Sequence, residues 1–394
     1  MDTSNVQNFE YSFYYVTNIT TLRGLQNWNT CNVTDFGNTF TGLYYLSDIN
    51  QVSNWNVENA TTMHNMFSGC PNVHDFTPLS NWNVQPGTRM NNMFYGCSGL
   101  TDLSFIANWN TTDCAFSNAF RGTSINTAPH INMNNVSLYM AFGGNVNPAI
   151  LSNMYFENCS LTQLYGTEYT KVVGNGLYNM TLNGQNLRLQ NMFGTYQYTN
   201  QSYYNINYIG NYNVDGANLH SMFSCQKSLQ NINENINVTF SNVCSTYNMF
   251  INCTKLENVS ALNIHTSAQM NTSENIYFMN MFYNCINLKD ITCMENWTHT
   301  DVSTQSRYIG LSNMFYNCNN LTDDSLYAMT NWLIRIAPNV INTQYEFYGG
   351  YGLVLNNQQS NTPLYGSNIR LNERLNTTQL NRLYMAGYRG FGTY

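Results

Sequence analysis

The sequence predicts a repeat solenoid built of short strands and short helices or 3-10 turns, capped at both ends. Three observations carry that expectation. Nearly everything between residues 23 and 322 is a copy of the stretch Met90 to Asn110. Within it, Met90, Met93, Phe94 and Cys97 recur at i, i+3, i+4 and i+7, one face of a helical turn or two. A unit this small cannot bury an apolar face alone, so neighbouring copies must stack into a shared core.

After the helical pattern, Leu100, Leu103 and Phe105 approach the alternation of a short strand. The preceding copy carries Met63, Met66, Phe67 and Cys70, and Phe67 and Phe94 lie 27 residues apart, a period in the leucine-rich-repeat range. Residues 1–22 precede the first good copy. There Phe9, Tyr11, Phe13 and Tyr15 alternate along a predicted strand or hairpin that covers one end of the stack. The repeat starts imperfectly with Asn27-Trp28-Asn29, Asn54-Trp55-Asn56 and the worn segment Thr39 to Leu43. Phe120 and Phe142 mark degenerate copies that keep the register, and Met154 to Cys159 follows closely.

Between about 160 and 220 the spacing stretches: Phe156 and Phe193 are 37 residues apart, which implies an insertion, and insertions in repeats emerge as loops, often on the binding face. The pattern recovers at Met222-Phe223, Met249-Phe250 with Cys253, Met281-Phe282 with Cys285, and Met314-Phe315 with Cys318. Residues 323–394 differ and read as a capping and attachment segment. Asp323 or Asp324 is placed to cap a helix from Ser325 to Ile336, with Leu326, Met329, Leu333 and Ile336 on one face, and a second short helix runs from Thr378 to Ala386.

Composition bounds the function. Of 394 residues 43% are apolar, yet only 9% are charged, against roughly 25% in ordinary soluble domains. The surface is therefore mostly neutral. A formal net charge of −7 with 14 Lys+Arg excludes the basic patches that nucleic acid and acidic membranes require. No window of about 18 apolar residues is present, so no membrane insertion is expected. The opening ten residues lack the basic and apolar regions of a secretory signal, which leaves either a signal already removed or release by another route, such as lysis around an assembled particle.

The cysteine count of 11 is odd, and Cys70, Cys97, Cys159, Cys253, Cys285 and Cys318 share one repeat position. A buried thiol packing as a hydrophobe fits that position; a ladder of disulfides or metal thiolates is the alternative. No paired Cys-x-x-Cys motif exists. The six His are scattered with no metal-binding partner, no phosphate-binding loop occurs, and Gly349 to Gly352 lacks a strand-to-helix context. Asp323 and Asp324 suit helix capping better than acid/base work. No catalytic residue, metal or cofactor is expected.

Trp28, Trp55, Trp82 and Trp109 share a repeat position, either as indoles roofing the core with the N–H on a backbone carbonyl or as a sugar-binding file. Tyrosine is the stronger recognition residue, offering large area at small entropic cost together with a hydroxyl. Tyr196, Tyr198, Tyr203, Tyr204, Tyr208 and Tyr212 in the irregular region are the candidate ligand contacts.

The recurrent Asn-Trp-Asn followed by Met-x-x-Met-Phe-x-x-Cys-x-x-Leu-x-x-Leu resembles the BspA-type leucine-rich repeats of surface proteins, in the variant seen in mycoplasma lipoproteins, gut microbes and viruses. It covers about three quarters of the chain. Residues 120–220 depart from it in spacing and lose the Trp. The resemblance implies a leucine-rich-repeat-like right-handed α/β superhelix, placement outside the cell or on a particle surface, and binding to host or matrix components. With neither signal nor anchor in the sequence, the expectation turns to a virion or phage component that binds a host-surface protein or glycan. A purely structural spacer, held to other particle or surface proteins through its termini, is the alternative, and an anchored bacterial adhesin a further one. The end segments also leave room for oligomers.

Overall fold

The computed structural model describes residues 2–143, 148–165, 181–193, 211–233, 237–243, 245–267, 276–300, 309–310, 314–336 and 376–385. The chain divides into two compact units, Met1–Val172 with Met180–Arg188, and Val173–Asn179 with Leu189–Tyr394. Each unit is a parallel β-solenoid with few helices.

The coils are joined by backbone hydrogen bonds at every second residue. In the first unit Met90, Asn92, Phe94 and Gly96 donate N–H to the carbonyls of Ala115, Ser117, Ala119 and Arg121 in the next coil, at 2.8, 2.9, 2.9 and 2.8 Å. The intervening N–H groups turn back locally: Met93 to Met90 O, Tyr95 to Asn92 O and Cys97 to Phe94 O, at 3.1, 3.0 and 3.1 Å. The second unit repeats this, with Phe223, Phe250 and Phe282 donating to Met249, Met281 and Met314.

The expected helical turn at Met90 to Cys97 is therefore absent. Its apolar spacing is real, but Asn92 and Gly96 sit in the left-handed region at φ 55° and 72°, and a reversal at every fourth residue keeps successive turns from winding into a helix. The same pair recurs at Asn38 and Gly42, Asn65 and Gly69, Asn248 and Asn252, and Asn280 and Asn284. Asn and Gly are the residues that enter this region at least cost, which explains why the chain is so rich in Asn. The asparagines also pair along the stack: Asn284 Nδ2 donates to Asn252 Oδ1 at 3.0 Å, and Asn317 Nδ2 to Asn284 Oδ1 at 2.6 Å.

Real strands occupy a different arm of the coil. In the first unit β1 (Ile131–Asn134), β2 (Met154–Glu157) and β3 (Thr181–Gln185) pair in parallel, Ile131 opposite Met154 and Tyr155 opposite Asn183. In the second, β4 (Asn211–Asp215), β5 (Val238–Ser241), β6 (Leu262–Ser267) and β8 (Thr298–Thr300) do the same, and β7 (Ile276–Tyr277) pairs with β9 (Ile309–Gly310). Alternation sets their facing: Met154 and Phe156 point inward, Tyr155 and Glu157 outward. The strand expected at Leu100 to Phe105 is instead one bridge at Asp102 and a 3-10 turn, Ser104–Ile106, because Phe105 and Ile106 both face the core. Residues 2–22, expected as a strand or hairpin, form a coil of the same turn ladder, with Phe9, Tyr11, Phe13 and Tyr15 donating to Asp35, Gly37, Thr39 and Thr41.

The core is the inward file of Met, Phe and Cys. Met63, Met66, Phe67, Cys70, Met90, Met93, Phe94, Cys97, Met249, Phe250, Cys253, Met281, Phe282, Cys285 and Cys318 are each 0% exposed; Met314 is buried and Phe315 half-buried. Phe94 lies 6.1 Å from Phe67 and 5.7 Å from Phe120, rings nearly parallel. Each such side chain contributes about 1.5–3 kcal/mol by leaving water. The thiols belong to this file and are satisfied in it: Cys97 Sγ donates to Phe67 O at 3.0 Å and Cys285 to Phe250 O at 3.0 Å. The indoles do likewise. Trp55, Trp82 and Trp109 are buried and donate to Leu25, Val52 and Leu79 carbonyls one coil back. Trp28 is half-buried, so these indoles do not form an open sugar-binding file.

Among the described residues two helices follow the last coil. α1 (Asp323–Ile336) buries Leu326, Met329, Leu333 and Ile336 as its periodicity predicts. Its cap is Thr322, whose Oγ1 accepts the Ser325 N–H at 3.3 Å, while Asp323 and Asp324 lie in the first turn, where their charge suits the helix dipole. Arg335 fixes its far end by donating to the carbonyls of Met294 and Glu295 at 3.0 and 2.6 Å. α2 (Thr377–Met385) opens with reciprocal bonds between Asn376 and Gln379, both 2.9 Å.

Two outcomes follow. Asn284→Ala removes two ladder bonds at about 1 kcal/mol each and forces a Cβ-bearing side chain without local hydrogen bonding into the left-handed region for about 1–2 kcal/mol more. Asn284→Gly loses only the ladder. In urea unfolding the Ala variant should show the lower midpoint; equal midpoints would remove the conformational requirement. Burial pushes the Cys70 thiol from its ordinary 9.0 up to about 12 and that of Cys114 to about 11. The folded state thus keeps protons that the unfolded chain releases, so this stability is complete below pH 9 and is lost as pH rises toward 12. The urea midpoint should fall between pH 8 and 10.5, less steeply in Cys70→Ala, an identical slope refuting the linkage.

Candidate binding surface

Exposed side chains are what remains once the core and the ladders are assigned. Of the exposed large apolar side chains among the described residues, all but Val16, Ile286 and Met385 are tyrosines. Polar ladder positions are held by Asn and Thr, so little charge surrounds these phenols.

In the first unit five of them form two groups, and Tyr95 and Tyr139 stand apart from these. Tyr11, Tyr14 and Tyr15, 53%, 45% and 59% exposed, meet edge to face at 5.0 Å and 4.6 Å. The ring of Tyr15 lies against Gly42, where a Cβ would stand 2.7 Å from its Cδ1, and Gly42 itself has φ 75°. Only glycine fits that seat. The second group is the edge-to-face pair Tyr44 and Tyr45, centroids 5.2 Å apart and both more than half exposed. It stands at the bend where other coils carry Pro71-Asn72 or Ser98-Gly99. Asn72 Nδ2 donates to Tyr44 O at 2.6 Å, which fixes the backbone beneath the pair.

His64 serves the scaffold here. Asn38 Nδ2 lies 2.9 Å from its Nε2, Thr62 Oγ1 lies 2.9 Å from its Nδ1, and the Glu10 carboxylate is 3.7 Å away.

In the second unit Tyr283 and Tyr316 stack at 4.5 Å with 10° between the planes, both half-buried on successive coils. Burial, and then the neighbouring Tyr316 phenol, raise the Tyr283 pKa. His220 packs edge-on against Tyr247 at 4.9 Å, and burial lowers its pKa. Near the bend, Lys289 Nζ meets Glu257 Oε2 at 2.8 Å; that hydrogen bond lowers the Glu257 pKa.

Of the ligand contacts expected from sequence, Tyr196, Tyr198, Tyr203, Tyr204 and Tyr208 lie outside the described residues. Tyr212 belongs to the core. It is 0% exposed in β4, its ring 6.2 Å from Phe223 and 6.1 Å from Phe240. The alternation of Tyr212 and Val214 with Asn211 and Asn213 carried that information. Tyr44 and Tyr45 escaped the sequence reading, although two adjacent aromatics at a bend otherwise held by small residues were the available signal. Tyr11 and Tyr15 were read there as positions of a strand or hairpin covering one end of the stack.

Among the described residues no three His, Cys, Asp or Glu side chains converge as a metal site, and no helix is long and apolar enough to cross a membrane. Among the described residues the cysteines pack inward except Cys31, which is half-buried. What the surface offers is neutral: phenol rings, phenol hydroxyls and carboxamides.

Neither the curated proteins nor the solved structures yield a match to the chain. A family model does, over residues 7–132 and 185–274, a span that includes Tyr11 to Tyr45 and the turn-ladder coils of both units. That is more than half the sequence, and the chain belongs to the family described as Mycoplasma protein of unknown function, DUF285.

Proposed function

We propose that this is a non-enzymatic recognition protein that binds a host-surface protein or glycan through its exposed tyrosines. The observation that carries the reading is the Tyr44–Tyr45 pair, open to solvent on a chain with 9% charged residues. A phenol ring stacks on a sugar face or an apolar side chain, loses few rotamers in doing so and adds a hydroxyl for orientation. The stacked Tyr283 and Tyr316 supply a second platform of the same chemistry. Sparse Lys and Arg leave no electrostatic route to phosphate-rich partners, so contact is short-range and weakly dependent on salt. Within this proposal the finer architecture is the BspA-type leucine-rich repeat, wound right-handed, and the setting is a virion or bacterial surface. The regular coils then serve as a rigid mount.

The test is binding of the full chain to a glycan array and to intact candidate host cells. A Tyr44→Ala/Tyr45→Ala variant should bind at least about ten-fold more weakly, a loss of about 1.4 kcal/mol. Its unfolding midpoint should be unchanged, since both side chains are exposed. Undiminished binding by that variant, or no binding of the parent chain to any glycan or cell, would overturn the proposal in favour of a structural spacer.

A further inference from the structure

The bend that carries Tyr44 and Tyr45 is built differently from others of its kind. One coil on, 27 residues later, the corresponding bend holds Cys70, Pro71 and Asn72. Two of these reach back: Cys70 Sγ donates to the Phe40 carbonyl at 3.2 Å and Asn72 Nδ2 to that of Tyr44 at 2.6 Å. The second unit makes the same two bonds from Cys285 with Asn287 and from Cys318 with Asn320. Leu43 and Tyr45 occupy those two positions in the Tyr44 coil. Leucine has no donor, and the Tyr45 side chain stands in solvent. Two bonds between coils are given up where two exposed rings are displayed.

The rings meet at 84° with centroids 5.2 Å apart, and the residues are 56% and 55% exposed. Such a pair bounds an open right angle between two π faces, each the negative side of its ring. A flat sugar stacks on one face, whereas a compact cation seated in the angle meets both. Charge around the pair has one sign. Between Gly24 and Thr88 the chain carries four carboxylates, Asp35, Asp48, Glu58 and Asp75, and no Lys or Arg, His64 and His74 being the only other side chains there able to take a positive charge. Asp48 lies three residues after Tyr45 and is held ionised: the Asn50 backbone N–H, and then the Gln51 carboxamide, lower its pKa, with Arg23 a smaller contributor.

We propose that Tyr44 and Tyr45 hold a trimethylammonium group, carried on a trimethylated lysine of a partner protein. This rests on the pair being the ligand contact and names the group it binds. A quaternary ammonium has no N–H to satisfy and spreads its charge over methyl groups on all sides, so two ring faces at a right angle suit it without any directed hydrogen bond. An unmodified lysine is a strongly hydrated charge with three N–H donors, and in the same angle those donors lose water. A phosphocholine head group joins the same cation to a phosphate, which needs Lys or Arg beside it and here meets four carboxylates instead. Sialylated and sulfated glycans meet the same repulsion. The carboxylates thus set the sign of the ligand, and the ring faces supply the contact.

Fluorescence anisotropy of short labelled Gly/Ser peptides on the full chain tests it. One peptide carries trimethyl-lysine, a second lysine, and a third the uncharged isostere in which tert-butyl replaces trimethylammonium. The trimethylated peptide should bind at least about ten-fold more tightly than either. Tyr44→Ala/Tyr45→Ala should lose that preference with an unchanged unfolding midpoint, while Tyr44→Phe/Tyr45→Phe, which keeps both ring faces, should retain it. Equal binding of the tert-butyl peptide, a preference that survives the Ala substitutions, or phosphatidylcholine vesicles captured through the two tyrosines as well as the peptide is, each overturns the proposal. Cell or glycan binding that the Ala variant loses, with no preference among the peptides, leaves the tyrosine reading standing and sinks this inference. A peptide preference lost in the Ala variant whose cell binding is undiminished upholds the ammonium site and sinks that reading.

Discussion

Everything in this protein depends on backbone hydrogen bonds between successive coils. In the turn ladder alternate N–H groups reach the following coil and the others are satisfied within the coil, by four-residue turns that reverse at Asn or Gly. The cost of those left-handed positions is met by using residues with little to lose there. The same asparagines then bond to one another between coils, so one residue type supplies both the backbone conformation and a side-chain ladder.

Side-chain donors complete the accounting in the opposite sense. Where backbone N–H groups reach forward, the indole N–H of Trp55, the thiol of Cys97 and the carboxamide of Asn72 all reach back to carbonyls of the preceding coil. Buried polar atoms are thereby paired without charge, which is how the chain sustains a large interior with so few ionic residues. Cys97 and Cys285 are core residues whose hydrogen bonds a methyl group could not make. Burial pushes both thiols well above their ordinary pKa and so withdraws them from thiolate chemistry.

A scaffold paired in this way leaves function to what projects from it. Tyr44 and Tyr45 stand at a bend of the coil, while Tyr11, Tyr14, Tyr15, Tyr283 and Tyr316 project from the turn ladder. Small polar residues at most bends keep the surface inert, which makes the few aromatic positions distinct.

The sequence alone determined the period, the inward file of Met, Phe and Cys, the burial of the shared thiols, the neutral surface and the buried face of α1. All of these follow from which residues are apolar and how far apart they recur. It also misled: spacing of i, i+3, i+4 and i+7 reads as a helix, and apolar periodicity carries no record of the handedness at Asn92 or Gly96. Tyr212 was placed outside and lies in the core, while Tyr44 and Tyr45 went unnoticed and stand in water. Tertiary structure decided those cases because a coil has several faces, and which of them a tyrosine occupies is set by the hydrogen-bonded register with the coils on either side.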